Sequence, residues 1–452
     1  MSTDILRIGQ SGARAARASI EVTAQNIANA SNPDYVRRSL QLEEFVASAI
    51  IDYNPSDALS GVRVGAINRP GNEFLTARAR DTAADVERAQ ADIAALRDAE
   101  LGLEQSGLFR GLVDFEASLT LLESDPTDPA LRTGAVESAR QLAVTFQSAQ
   151  AGLTNARDLA QGALEAGTRE TNNAATELAR INTELTKVRQ GSASYSNLLD
   201  ARDAALRDIS SEFSVSVEFD EVGAATVRLV STPAPSGEAG PVLVDGVNAN
   251  SLTATIAADG TASFTLDGFD FTPVSGAQAG RVSALSDLSE RADTLDAIAL
   301  STITRANNAQ ANGAALDGSP GQPLFSGSDA STIALALTDG DGLALAPLGS
   351  PAGSSDTSNL QSLVAAIGAD DGPIAATDRL LLSLSSRISG LETTREGLSI
   401  IANNASAELL NETGVDLDQE AANLIRLQQS FEANSRVMQV ATDIFDTILG
   451  LN

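Results

Sequence analysis

The sequence predicts a mainly α protein with a β insert: long coiled-coil-like helices from both termini, an antiparallel helical rod domain and a small all-β outer domain. Three observations carry this. The last forty residues keep an apolar residue at every seventh position, through Leu417, Leu424, Phe431, Met438 and Phe445. Residues 73–212 hold helical periodicity almost throughout, and it returns near 280 and again in the final third. Between them, at Phe213, the period switches to two. Apolar positions at sevens mark a helix packed along another helix, and strict alternation marks a half-buried strand. The division this suggests is 1–60 with 411–452 as a terminal-helix inner domain, 61–212 with 279–410 as the rod, and 213–278 as the insert.

Composition removes whole classes of function. The chain has 452 residues, 60 acidic and 30 basic, for a formal charge of −30. Nucleic acid and anionic lipid both require positive patches, so neither is an expected partner. With no Cys there are no disulfides, no thiol catalysis and no thiolate metal sites; with no His the commonest general base and transition-metal ligand are gone. No apolar run is long enough to span a bilayer. The N-terminus, with Arg7, Arg14 and Arg17, lacks the continuous apolar segment of a secretory signal peptide.

The first element is a helix over 3–30. Leu6, Gly9, Ala13, Ala16, Ile20, Ala24 and Ile27 form a stripe at three-and-four spacing, with Ile5, Ile8, Ala15 and Val22 beside it. An arc this wide exceeds what one neighbouring helix covers. Pro33 disfavours helical geometry at Asn32 and ends the element. An extended linker follows, in which 61–67 alternates as a strand. Val86, Ala89, Ile93, Leu96 and Leu103 make one helical seam, and Leu112, Phe115, Leu119 and Leu122 another. Asp128 and Pro129 are an N-cap and first helical residue. A long helix then runs to about Val188, with Phe146, Leu153, Ala160, Gly167, Ala174, Ile181 and Val188 at sevens; its seam serves equally an internal core or an intermolecular contact. The break at Gly191 precedes a helix starting at Asn197.

In the insert, alternation covers 213–219, 226–230, 242–247 and 252–256, with Asp259-Gly260 as a hairpin signal before a strand over 261–271. Helix returns near 280 with Leu285, Leu288, Ala292, Leu295 and Ile298. Residues 313–357 are rich in Gly, Ser and Pro, with short strands expected at 332–337 and 343–346. The final third carries Leu384, Leu391, Leu398 and Ala405 at sevens and leads into the C-terminal seam, where Leu427, Ala441 and Ile448 add a second row interrupted by Asn434. Asp416 and Asp418 sit where negative charge favours a helix start.

A search for chemistry selects nothing, so catalytic residues, metal ligands and cofactors are all expected to be none. Asp370-Asp371 and Asp339-Gly340-Asp341 read as solvated loop charges. Asp339-Gly-Asp-Gly342 opens like a calcium loop, but its twelfth position is Ser350 where an EF-hand requires Glu. No nucleophile elbow, P-loop or dinucleotide fingerprint occurs.

Asn26-Ile27-Ala28-Asn29 followed by Asn32-Pro33-Asp34-Tyr35 resembles the N-terminal motif of the axial proteins of the bacterial flagellum, departing from it with Asn32 for Thr and Asp34 for Gly. Residues 414–434 are similar to that family's C-terminal signature. Asp125–Arg132, Asn197–Asp203, Leu295–Ala299 with Asn307, and Leu316–Phe325 resemble the family's hook–filament junction members, with Gln310 or a neighbour standing where they place a His. The resemblance implies a structural, non-enzymatic subunit of the bacterial flagellum joining hook to filament and extracellular without a cleaved signal peptide. Its termini would pair in an inner tube within a ring-forming homo-oligomer. Implied partners are the chain itself, the hook protein, the distal junction protein or filament, and a cytoplasmic export chaperone on the C-terminal region. The assembly residues would be Leu6, Ala13, Ala16, Ile20 and Ile27 on one helix and Leu417, Leu424, Leu427, Phe431, Asn434, Met438, Phe445 and Ile448 on the other. Another flagellar axial subunit, of hook or rod, stays open at this point, as does a secreted adhesin or wall-acting module carried on a helical rod.

Overall fold

The computed structural model describes residues 2–32, 34–46, 60–234, 240–257 and 260–449; of 2–4, 45–46, 60 and 448–449 it describes the backbone alone. Helix α1 (Ser2–Ala28) opens the chain, and the hairpin β1 (Ser39–Val46) and β2 (Ser60–Asn68) follows it. Four helices come next: α2 (Glu73–Ser106), α3 (Leu108–Leu122), α4 (Pro129–Leu185) and α5 (Ala193–Glu212). The insert holds β3 (Val215–Phe219), β4 (Ala225–Leu229), β5 (Ser231–Thr232), β6 (Val242–Asp245), β7 (Asn248–Ala249), β8 (Leu252–Ile256), β9 (Ala262–Leu266) and β10 (Phe269–Pro273). Helix α6 (Ala277–Ala311) returns to the rod. The Gly-rich segment carries only two-residue strands, β11 (Gly313–Ala314), β12 (Phe325–Ser326), β13 (Ala334–Leu335) and β14 (Ala346–Pro347), before α7 (Ser358–Ile367), α8 (Pro373–Thr413) and α9 (Leu417–Leu449).

Helix α4 is 57 residues long, roughly 85 Å at the helical rise. Asp128 caps it as its side chain accepts from the N–H groups of Ala130 and Leu131, with Pro129 at the first position. Its seam is internal: Phe146, Leu153, Ala160 and Ile181 are buried within the chain, against α2, α3, α5 and α6. The helix stops at Leu185, so Val188 lies just past it. Where α2 crosses α4, Gly102 meets Gly152 so closely that a Cβ on Gly102 would stand 2.8 Å from the Gly152 Cα. Any larger residue there forces the rods apart.

Helix α5 begins at Ala193, four residues before the expected Asn197, because the Ser192 side chain accepts from the Tyr195 N–H and caps it early. The insert is two four-stranded sheets, ordered β3-β4-β6-β7 and β5-β10-β9-β8. Residues 261–271 are not one strand. Asp267 and Gly268, with φ of 51° and 77°, form a tight turn that folds β10 back on β9; two central residues with positive φ are what a two-residue hairpin loop demands. Ala258 and Asp259, half of the expected hairpin signal, lie outside the described residues.

One hydrophobic cluster runs from Ala95 in α2 through the rod and both sheets to Ile388 in α8. At its outer end Phe213 meets Phe264 edge-on, with ring centroids 5.0 Å apart. The boundary expected at residue 60 falls inside the β1–β2 hairpin, which pairs Ser39 with Asn68. Asp339 accepts from the N–H groups of Asp341 and Gly342 and so caps a single 3-10 turn, and no acidic group among the described residues is arranged to hold a metal. No described helix is long and apolar enough to cross a membrane.

Candidate functional site

Helices α1 and α9 lie side by side, antiparallel, since Gly9 faces Met438 and Gly12 faces Asn434. The glycines bring the two backbones together. The row Gly9, Ala13 and Ala16 is buried, while Ile20 and Ile27 are half-buried. On α9, Ala441 is buried and Leu424, Leu427, Asn434 and Met438 are half-buried. The polar interruption at Asn434 is therefore part of the contact.

Other expected seam residues lie elsewhere. Leu6, Leu417, Phe431 and Phe445 are exposed. Along the row of sevens, exposed Leu417, Phe431 and Phe445 alternate with half-buried Leu424 and Met438, so α1 covers the row only in part. Ile448 lies outside the described side chains. The second stripe on α1 is divided: Ala15 and Val22 are buried, whereas Ile5 and Ile8 are exposed. The wide arc is covered in part by the chain's own β hairpin, as Ser11 Oγ accepts from the Val62 N–H.

The motif after α1 builds a joint. Asn26 is buried; its Nδ2 donates to the Arg38 carbonyl at 2.8 Å and its Oδ1 accepts from the Arg38 N–H and the Tyr35 hydroxyl. The chain leaving the helix is thus folded back under it. Burial pushes the Tyr35 phenol above its ordinary range, with Arg38 opposing and Asp200 and Glu420 reinforcing, so the hydroxyl keeps its proton and donates. Asn29 Nδ2 donates to the Gln25 carbonyl, and Asn32 Oδ1 accepts from the Asp34 N–H. Pro33, expected to end the helix, lies outside the described residues. The Ile27 carbonyl accepts from the Ala30 N–H as the helix ends.

Charges close the joint against the rod. Arg38 Nη2 reaches Asp200 Oδ2 at 2.5 Å, and Arg69 binds both Asp200 and Asp203 at 2.7 Å. Arg37 Nε donates to Glu420 Oε1 at 2.7 Å, with the Glu420 side chain only 2% exposed. Asp34 pairs with Arg207 of α5. Asp416 caps α9, accepting from Asp418 and Gln419, and the Arg37 N–H donates to the Thr413 carbonyl. A cavity of about 620 Å³ opens between this turn and the α1 motif. Residue reasoning missed Arg37, Arg38, Arg69 and Glu420, which no periodicity marks; the Arg37-Arg38 pair straight after Tyr35 was the available signal.

The remaining motif segments are ties of the same kind. Arg132, buried at the start of α4, donates to the carbonyls of Pro126, Gly340 and Leu343 at 2.6, 3.0 and 3.0 Å. Asn307 exchanges two hydrogen bonds with the backbone of Phe325, and Asp296 accepts from the Ala330 N–H. Gln310 Oε1 accepts from the Ala344 N–H at 2.8 Å.

Comparison with known proteins agrees with this arrangement. Residues 98–325 match the helical domain of flagellar hook-associated protein FlgK, and residues 407–451 match the C-terminal region of flagellar basal body rod FlgEFG proteins. Flagellar hook-associated protein 1 of Escherichia coli is 22% identical, over 99% of this chain and 100% of its own length. That of Salmonella typhimurium is 23% identical over 72% of this chain and 59% of its own. The solved flagellar hook junction protein FlgK from Burkholderia pseudomallei shares the fold at a TM-score of 0.62 and 12% identity, covering 74% of this chain and 99% of the other. Resting on the helical-domain match over half its length, the chain belongs to the flagellar hook-associated protein FlgK family.

Proposed function

We propose that this chain is a structural, non-enzymatic subunit that joins the flagellar hook to the filament, and that the α1–α9 pair is its assembly surface. One observation carries the reading. With α1 and α9 paired, Ile5, Leu6, Ile8, Phe431, Val437, Val440, Ile444 and Phe445 remain exposed. Apolar surface gathered at one end of a monomer marks an interaction site. Neighbouring copies in a ring cover this face, with hook protein on one side and the distal junction protein or filament on the other. The α1–α9 pair with the β hairpin forms the inner domain, up to about residue 68; the helical rod and the β insert stand outside it. A hook or rod subunit is disfavoured by the long α4 helix, and a separate adhesin or enzyme module by the insert's shared core.

Leu424 and Leu427, which α1 half-buries, are free only when α1 is absent. A cytoplasmic chaperone that occupies this face before export thereby excludes both intramolecular pairing and premature assembly.

The test is Phe431→Asp. Phe431 keeps 38% of its surface exposed in the free chain, so a charge there can still reach water, and it costs several kcal/mol once neighbours bury it. Helical content and Tm of the purified chain are expected to stay unchanged while incorporation at the hook tip and motility are lost. Matching losses in the free chain and in assembly would overturn the reading.

A further inference from the structure

The two outer edges of the α1–α9 pair carry opposite charges. Gly9 and Gly12 meet Met438 and Asn434. At about 3.6 residues per turn, Arg7 and Arg14 stand roughly 140–170° round α1 from that contact, as Glu432 and Asp443 do round α9. One edge of the pair is cationic and the opposite edge anionic. All four side chains are exposed and have no ion-pair partner among the described residues. Arg17, beside the cationic edge, is already taken by Glu21 at 3.1 Å.

The charges stand level. Arg14 lies two residues on from Gly12 and Glu432 two residues back from Asn434, so in antiparallel helices they share one height. Arg7 is level with Val440, one turn from Asp443, a step that an arginine side chain spans. Arg436, the cation on the α9 edge, is level with Gln10 and falls between the two pairs. Within one chain these charges point away from each other. A second copy set beside the first at the same height brings the cationic edge of its α1 to the anionic edge of α9. Two-fold contacts would set Arg14 against Arg14 or Glu432 against Glu432, and like charges face to face disfavour them. Copies that each carry a formal charge of −30 repel one another, so approach is favoured where one partner presents positive charge.

We propose that a second copy docks edge to edge on this pair, Arg14 and Arg7 of its α1 against Glu432 and Asp443 of α9, and that these charges set a head-to-tail order among copies. The proposal rests on the assembly reading and adds to it a lateral partner and a direction. Exposed ion pairs contribute little affinity; their part is to select orientation, because reversing one charge turns attraction into repulsion.

Charge reversal is the test. Arg14→Glu, Glu432→Arg, the double variant and Phe431→Asp are each produced in cells lacking the native chain, and incorporation at the hook tip is measured beside the helical content and Tm of each purified chain. Each single reversal is expected to lose incorporation with an unchanged Tm, and the double variant to recover it. Producing the two single-reversal chains together should recover it as well, since each then meets the opposite charge on the other; a pair formed within one chain gives no such rescue. The proposal is overturned if either single reversal incorporates like the wild type, if the double variant or the mixture fails to recover, or if a single reversal lowers the Tm of the free chain. Phe431→Asp separates the two failures. If it loses incorporation while the reversals keep it, the edge contact fails and the assembly reading stands; if every variant keeps it, the assembly reading itself has failed.

Discussion

Gly12 of α1 lies directly under Asn434 of α9: a Cβ built on Gly12 would stand 2.8 Å from Asn434 Cγ. The glycine gives way to the one polar residue of the seam, and Asn434 in turn donates to the Ser430 carbonyl of its own helix. A slide of α1 that brought Ala15 or Ala16 to that amide would meet it with a Cβ, so the pair resists a shift of register in that direction.

Gly12→Val should therefore loosen the terminal pair. Helix propensity favours the change by a few tenths of a kcal/mol, while overpacking costs about 1–3 kcal/mol, so overpacking wins. Limited proteolysis is expected to cleave residues 1–60 and 411–452 faster, with the rod's Tm unchanged. Adding Asn434→Ala makes room and should recover part of the loss, a coupling of about 0.5–3 kcal/mol in a double-mutant cycle.

Asp200→Asn removes the negative charge and one of the two acceptor oxygens shared by Arg38 and Arg69, whose side chains are 4% and 8% exposed. Breaking a buried pair costs about 3–5 kcal/mol. Hydrogen exchange should quicken at residues 35–38 and 67–69 while α4 keeps its protection. Uniform loss across the chain would show that the contact stabilises the whole fold instead.

Arg132→Lys should lower the Tm nearly as much as Arg132→Met. The planar fork serves three carbonyls at once, and an ammonium cannot match that geometry. Each buried carbonyl left without a donor costs about 1–3 kcal/mol. A lysine variant that melts with the wild type contradicts this.

Asp329 gives the Gly-rich segment its acid sensitivity. Hydrogen bonds from Ser331, Thr332 and Ser328 hold its carboxyl down at about 2, from an unfolded value of 3.8. A depressed folded pKa means the stabilisation is fully present above about pH 4 and is lost as pH falls toward 2. Asp92 has the opposite sign, since burial raises its carboxyl: its protonation on acidification from neutral pH favours the fold. Protection of the amides at 331 and 332, taken against the intrinsic exchange rate at each pH, should fall between pH 4 and pH 2, and Asp329→Asn should lower it already at pH 7.

The fold was legible wherever one period dominated. The α4 seam, the Asp128 cap and the switch at Phe213 followed from spacing and local chemistry. What periodicity missed was polar and long-range. Arg37 and Glu420 are 383 residues apart, and nothing local marks either. The terminal seam was half legible: Asn434 and Met438 meet the α1 glycines and Leu424 and Leu427 are half-buried, while Leu417, Phe431 and Phe445 of the same row keep more of their surface open. Asn197–Asp203 drew notice only by resemblance; its physical reason is that Asp200 and Asp203 hold the joint.

The unbroken core from Ala95 to Ile388 has a consequence for how the molecule comes apart. Secondary structure draws three pieces, but Phe213, Phe264 and Phe271 sit in the same cluster as Leu206, Leu285 and Leu288, so the boundary between insert and rod is not a boundary of cooperativity. A force applied at either terminus first peels off α1 or α9, whose contacts with the rod helices are few and partly ionic, and then meets the rod and the sheets together as one barrier. Excising residues 213–278 would strip the outer ends of α4 and α6 of their packing, so the insert is a keystone and cannot be trimmed like an ornament.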